Sequence, residues 1–221
     1  VAYARQLAGR KASPAEKYTR HFNYPAVSAV RTKQDKEIYG IKTYFCSNVC
    51  AAYNRDIFDR IGGFSAPAIF NEDMIFAANA VKKGYGIAYN PKARVCHSHN
   101  YTNMQYLKRN CDLGVSQADH PEIFEGVPSE GEGKKMVNAT ANYLKSNRMR
   151  SKLFSLYVKS GFKFIGYKLG KNYKKLPKNI VLALSMNKDY WHHENMKSDV
   201  SKIDPTKGYG KTEEEWNMNR R

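Results

Sequence analysis

Apolar residues along the chain change their period several times, and each change marks an element. "VAYARQL" at the start reads as a strand. "IKTYFCSNVCAAYN" (41–54) is an aromatic and β-branched run, which predicts a buried strand near the middle of a sheet. Asn54 caps a short helix, "RDIFDRI", that ends at Gly62 and Gly63. Asn71 is placed to cap a second helix, running through alanines to Lys82 and Lys83 and stopped by Gly84. Two β-type runs, "YGIAYNP" and "ARVCHSH", follow with a proline turn between them. Thr102 opens a further helix, "NMQYLKRNCDL", closed by Gly114. Strands and helices in alternation predict an α/β fold.

The remaining stretches are less regular. Ala8 to Lys17 is polar, "PAEKYTRHFNYP" reads as a short helix and then a loop, and Ser28 to Gly40 reads as a charged surface connection. The expected organisation is an α/β part over 1–118 and a linker over 119–133, which is acidic and punctuated by Pro and Gly. A basic amphipathic helical region over 134–188 and a polar, poorly ordered tail over 189–221 complete it. No internal repeat is present.

Charge sharpens this division. The chain carries a formal net charge of +17, unevenly spread. Residues 1–133 hold 17 basic and 13 acidic side chains, whereas residues 134–211 hold 18 and 4. An anionic partner is therefore expected for the back half. Its lysines are interleaved with Phe, Tyr, Leu and Ile, the composition of a helix lying on an anionic membrane surface. A solvated face is the plainer alternative. Nucleic acid is not the expected partner, because no zinc finger, RNA-recognition signature or helix-turn-helix is legible. Four cysteines in 221 residues form no disulfide framework and point to a reducing compartment. No secretory signal and no membrane-spanning apolar run are seen. The expected location is cytoplasmic, peripheral at the inner face of the plasma membrane.

Candidate chemistry gathers in residues 69–101. Glu72 and Asp73 sit in the first turn of their helix, where the macrodipole favours anions. They can be plain dipole-complementing acids, or a carboxylate held ionised as a general base for a sugar hydroxyl. His97 and His99 alternate on a predicted strand and so are expected on opposite faces. Either can be structural, or can ligate Mn²⁺ or Zn²⁺. Cys46, Cys50, Cys96 and His97 suggest zinc at first. Cys46 and Cys50 would lie roughly 13 Å apart on one strand face, however, too far for one tetrahedral ion. The cysteines are read instead as small core residues. Gly62 and Gly63 can be a helix-ending turn or a ligand loop.

Taken together, "FCSNVCAAYNRDIFDRIGGF", "FNEDMIFAANAVKKGYGIAYNPKARVCHSHNYTNMQYLKRNCDLG", the initial "ARQL" and the later "GYKLGKNYKKLP" resemble the second half of a family 2, GT-A-fold glycosyltransferase. Bacterial rhamnosyltransferases of cell-surface polysaccharide synthesis are the most similar. The resemblance implies a partial GT-A domain and inverting transfer from a nucleotide sugar, dTDP-L-rhamnose, to a saccharide or lipid-linked acceptor. It makes Asp73 the base with Glu72 as its neighbour. It puts Asn48, Gly62 and Gly63 on the acceptor side, His97 in the shell of a divalent Mn²⁺ or Mg²⁺ ion, and Arg109 near the pyrophosphate. The family's nucleotide-binding half with its DxD metal motif is missing from these residues. The chain is thus expected to be a fragment, inactive alone. The competing class is a non-enzymatic basic module binding anionic membrane or nucleic acid.

Overall fold

In a computed structural model, which describes residues 1–65, 68–99, 101–127 and 130–192, the N-terminal strand takes a central place. The sheet has four strands in the order β2–β4–β1–β3. Its inner pair is β1 (Ala2–Leu7) and β4 (Ile87–Cys96), which run parallel, while β2 (Ala29–Arg31) and β3 (Ala51–Ala52) flank them antiparallel. The helices are α1 (Pro14–Asn23), α2 (Lys36–Tyr39), α3 (Arg55–Ile61), α4 (Glu72–Lys82), α5 (Asn103–Asp119), α6 (Pro121–Phe124), α7 (Glu130–Ser146), α8 (Leu153–Lys171) and α9 (Lys178–Leu184). The α/β class expected from the sequence is what forms, and its mixed sheet and flanking helices fit a partial GT-A-like fold. Residues 1–187 make one compact unit. The second unit begins at Lys188, and of it residues 188–192 are described, as helix. Most of the expected 189–221 tail lies outside the described residues.

The core explains α4. Ile75, Ala77, Ala78 and Val81 are almost fully buried with Tyr3, Ile87 and Tyr89 of the sheet, so the alanines let this helix lie close to the strands. Asn71 does begin α4, but by its backbone: it stands at φ 62, and its side chain makes no capping bond. Asparagine is among the few residues that take this left-handed conformation readily.

Several expectations change in the folded chain. The run 41–54 is not a central strand. Gly40–Tyr44 is a 3-10 turn that buries Ile41 and Tyr44, and only Ala51–Ala52 reaches the sheet, at its edge. Ile41, Tyr44 and Cys46 are buried at turn spacing, with Gly40 at φ 52 setting the turn, whereas Val49 and Cys50 are exposed. The two β-runs after Gly84 are one strand. Ala4 pairs with Asn90 and Arg5 with Arg94, so Pro91, Lys92 and Ala93 bulge out where proline's missing N–H costs nothing. The connection 28–40 contains β2 and α2. The 119–133 linker instead holds α6 and the start of α7, and its Ile123, Phe124 and Val127 join the core beside α4. Of the cysteines, Cys46 and Cys111 are buried but Cys50 and Cys96 are exposed.

Gly114 does not end its helix. α5 continues to Asp119, and Gly114 is one of the points where α8 packs directly on its backbone. A Cβ on Gly166 would stand 2.1 Å from the Leu107 carbonyl oxygen, one on Gly170 2.0 Å from that of Cys111, and one on Gly114 2.4 Å from that of Tyr167. Gly166 and Gly170, four apart, share one face of α8, so the two backbones are in direct contact. Tyr167 seals this seam by donating its hydroxyl to Gln117 Oε1 at 2.8 Å.

Candidate functional site

Two groups of side chains meet along one edge of the sheet. The first is at the start of α4. Asp73 accepts the backbone N–H of Asn48 at 3.0 Å and that of Met74 at 2.8 Å. Glu72 accepts the Asn48 side-chain N–H at 2.9 Å, and Tyr53 donates its hydroxyl to Asn48 Oδ1. Asn48 is thus fixed by three bonds and ties both carboxylates to one loop. Burial raises the Asp73 pKa; the Asn48 N–H pulls it down, and the charge of Glu72 pushes it up again. Burial likewise lifts the Cys46 thiol to about 11, with the Asp73 charge adding to the effect, so Cys46 is no nucleophile at neutral pH.

The second group lines a polar cleft of about 280 Å³. His97 and His99 do not face opposite ways. The strand ends at Cys96, alternation ends with it, and the two Nε2 atoms stand 2.7 Å apart. The His99 ring stacks on Tyr101 at 4.7 Å. Burial lowers both imidazole pKa values, the charges of Arg20 and Arg109 lower them further, and His99 adds to the effect at His97. Both shifts favour the neutral imidazole, the form that ligates metals. Among the described residues, no group of three His, Cys, Asp or Glu side chains is assembled to hold a metal ion.

The two groups adjoin. Ser47 and Val49 line the cleft while Asn48 between them reaches the carboxylates. Gln6 on β1 donates to Ser47 Oγ at 2.6 Å and accepts from Arg20. Tyr24, also in the cleft wall, has its pKa raised to about 12, chiefly by burial, with the charge of Asp73 among the smaller causes.

Of the residues singled out in the sequence, the fold brings Asn48, Glu72 and Asp73 into contact and sets Arg109 in the cleft with His97. The Arg109 guanidinium lies 4.6 Å from the Phe70 ring centroid and 5.8 Å from that of Tyr101. Gly62 and Gly63 stand apart from this wall. They end α3 at φ 96 and 70, with Gly63 donating its N–H back to the Phe58 carbonyl, so their turn role is visible. Sequence reasoning missed Glu16 and Arg20 on α1, Tyr106 on α5 and Lys163 on α8, all in the cleft wall. One signal was present: glycines at 166 and 170 mark a close helix crossing, and Lys163 is one turn before it.

The carboxylate fixed at the start of α4 thus lies beside a cation-lined cleft on a mixed α/β sheet, and the chain is similar to two curated glycosyltransferases. Over 195 residues it is 40% identical to the O-antigen chain rhamnosyltransferase WbaN of Salmonella anatum, a match covering 86% of this chain and 60% of that protein. It matches the O-antigen chain rhamnosyltransferase RfbN of Salmonella typhimurium with the same identity and the same shares. The resemblance expected from the residues is thus borne out, while the chain spans less than two thirds of the relatives' length. No family model and no solved structure matches it.

Proposed function

We propose that this chain supplies the acceptor-side half of a rhamnosyltransferase of surface-polysaccharide synthesis. The reaction is inverting transfer of L-rhamnose from dTDP-L-rhamnose to a saccharide or lipid-linked acceptor. The observation that carries this reading is the Asp73 carboxylate. It is partly buried, raised in pKa, aimed by two backbone N–H groups and linked through Asn48 to the cleft. Asp73 takes the proton of the acceptor hydroxyl as its oxygen attacks the anomeric carbon. The bond from that carbon to the diphosphate breaks on the opposite face, and dTDP leaves. Glu72, held by Asn48, contacts the acceptor, and Arg109 faces the diphosphate.

A divalent ion, Mn²⁺ or Mg²⁺, belongs to this reading: His97 and His99, whose Nε2 atoms stand 2.7 Å apart, would offer imidazole nitrogen, which suits Mn²⁺ better than the oxygen-seeking Mg²⁺. When bound, such an ion neutralises charge on the leaving diphosphate. The remaining ligands, a DxD among them, would come from sequence outside these residues, so the 221-residue chain alone is expected to give no turnover. Among the described residues no helix is long and apolar enough to cross a membrane. The exposed Phe154, Tyr157, Phe164 and Ile165 of α8, set among lysines, support contact with an anionic inner leaflet.

The test is Asp73→Asn in the enzyme that carries this segment, assayed with dTDP-L-rhamnose. Transfer should fall by a factor of about 10³ or more, while fold and donor affinity stay unchanged. Retained transfer, or loss of donor binding together with transfer, refutes the assignment.

A further inference from the structure

Asp73, Glu72 and Tyr53 all bond to one exposed residue. Asn48 lies open to solvent, where water competes for its hydrogen bonds and burial does not hold it in place. Its backbone N–H nevertheless goes to Asp73 Oδ2 at 3.0 Å and its side-chain N–H to Glu72 Oε1 at 2.9 Å. With both donors aimed at carboxylates, Asn48 Oδ1 has to point the other way. Tyr53 is the residue that meets it there, donating its hydroxyl to Oδ1. With the amide reversed, Oδ1 would face the Glu72 carboxylate and two acceptors would oppose each other. The neighbouring Ser47 is held from β1 by Gln6 at 2.6 Å, so the loop is pinned on both flanks of the contact.

The hydroxyl is in place because its ring is. Phe58 on α3, Phe64 just beyond that helix and Phe76 on α4 surround the Tyr53 ring. Their centroids are 5.7, 5.3 and 5.2 Å from it and their planes are inclined to it by 72, 85 and 81°. Edge-to-face contact is the geometry aromatic pairs prefer. Phe76 is 2% exposed and lies one turn beyond Asp73, so one helix carries both the carboxylate and the ring that seats Tyr53. Burial raises the Tyr53 pKa, and the charges of Cys46, Asp73 and Glu72 raise it further, so the phenol keeps its proton and stays a donor.

We propose that Tyr53 is a positioning residue for transfer: seated by Phe58, Phe64 and Phe76, its hydroxyl orients Asn48 so that this one residue donates to Asp73 and Glu72 together. The effect on transfer rests on Asp73 acting as the base. The orientation of Asn48 does not.

Carbon-detected NMR titration of the side-chain carboxyls in the 221-residue chain reads the orientation without substrate. Tyr53→Phe keeps the ring and should unfold like the parent. The Asn48 N–H lowers the Asp73 pKa, so loosening it should move the Asp73 midpoint to higher pH. Among the neighbours whose charge acts on Asp73 or feels it, Tyr53, Cys46 and Tyr24 stay protonated over this range, which leaves Glu72 as the charged one. In the enzyme that carries this segment, Tyr53→Phe should lower kcat about fivefold, the worth of one hydrogen bond, and leave KM for dTDP-L-rhamnose unchanged. With Asn48→Ala already in place, Tyr53→Phe should change kcat by less than about twofold, because its target is gone. Losses that multiply in the double variant overturn action through Asn48. An unchanged Asp73 midpoint in a folded Tyr53→Phe chain overturns the orientation, and an unchanged kcat overturns the role in transfer. If Asp73→Asn retains transfer while Tyr53→Phe still moves the Asp73 midpoint, the base assignment fails and the orientation stands.

Discussion

The α5–α8 seam makes a prediction with two opposite signs. Gly161, Gly166 and Gly170 all lie inside α8, where alanine is favoured over glycine by about 1 kcal/mol. At Gly161 a Cβ meets nothing within 4 Å, so Gly161→Ala should stabilise by about that amount. At Gly170 the same methyl meets the Cys111 carbonyl oxygen at 2.0 Å and the Gly114 Cα at 2.9 Å, whereas ordinary contact begins at 3.4 Å. The atoms involved are backbone, so no rotamer relieves the clash, and the helices must part by about 1 Å. A gap of that size forfeits a quarter to a half of each dispersion contact along the seam. Overpacking of this kind costs about 3 kcal/mol, and subtracting the propensity gain leaves about 2 kcal/mol of net destabilisation. Thermal unfolding followed by circular dichroism should show Gly161→Ala about 3 °C above and Gly170→Ala about 6 °C below the parent chain. A Gly170→Ala chain as stable as its parent would refute backbone contact at the seam.

The histidine pair predicts a stability change with pH. Both folded-state pKa values lie below the ordinary 6.5, so the folded chain binds fewer protons than the unfolded one. This contribution is fully present above about pH 6.5 and is lost as pH falls through the folded values. Melting temperatures of the His97→Gln, His99→Gln double variant should accordingly drop less than the parent's on acidification from pH 7, and an equal drop rejects the coupling. Asp73, raised above its ordinary 3.8, must lose its proton before it can act as a base. The acid limb of kcat/KM against pH should therefore have its midpoint above 3.8, and a limb at or below that value counts against Asp73. Gly62→Ala puts a side chain at φ 96 and should cost about 1 kcal/mol in a urea melt. It should leave transfer per folded molecule unchanged, since the turn serves the fold; a specific loss of transfer would restore an acceptor role.

Local signals in the sequence were read well, and non-local ones were not. Asn54 as a cap, Gly84 as a stop and Thr102 as a helix start depend on neighbours within four residues, and each is where the sequence put it. The acidic pair on α4 belongs to the same kind. The run 41–54 misled because burial was taken for strand, when apolar residues in a 3-10 turn are buried too. Gly114 misled because a glycine inside a helix has two meanings, a stop or a close crossing, and only the partner helix decides between them. The cleft was illegible for the same reason: Arg20, Arg109 and Lys163 are far apart in sequence and are joined by packing that no periodicity records.

The parallel pairing of β1 with β4 also bears on how the chain folds. Ala2 is matched to Ala88 and Leu7 to Cys96, so closing the first contact ties off a loop of more than 80 residues. The conformational entropy of closing such a loop is about 4 kcal/mol, and nothing local offsets it. The contacts within α4 and α5 are local while the centre of the sheet waits on a distant partner, which makes the β1–β4 docking the slow step. Until then the side of β1 that β4 will cover offers an unpaired edge, and chains held at high concentration during that interval should be most prone to associate there.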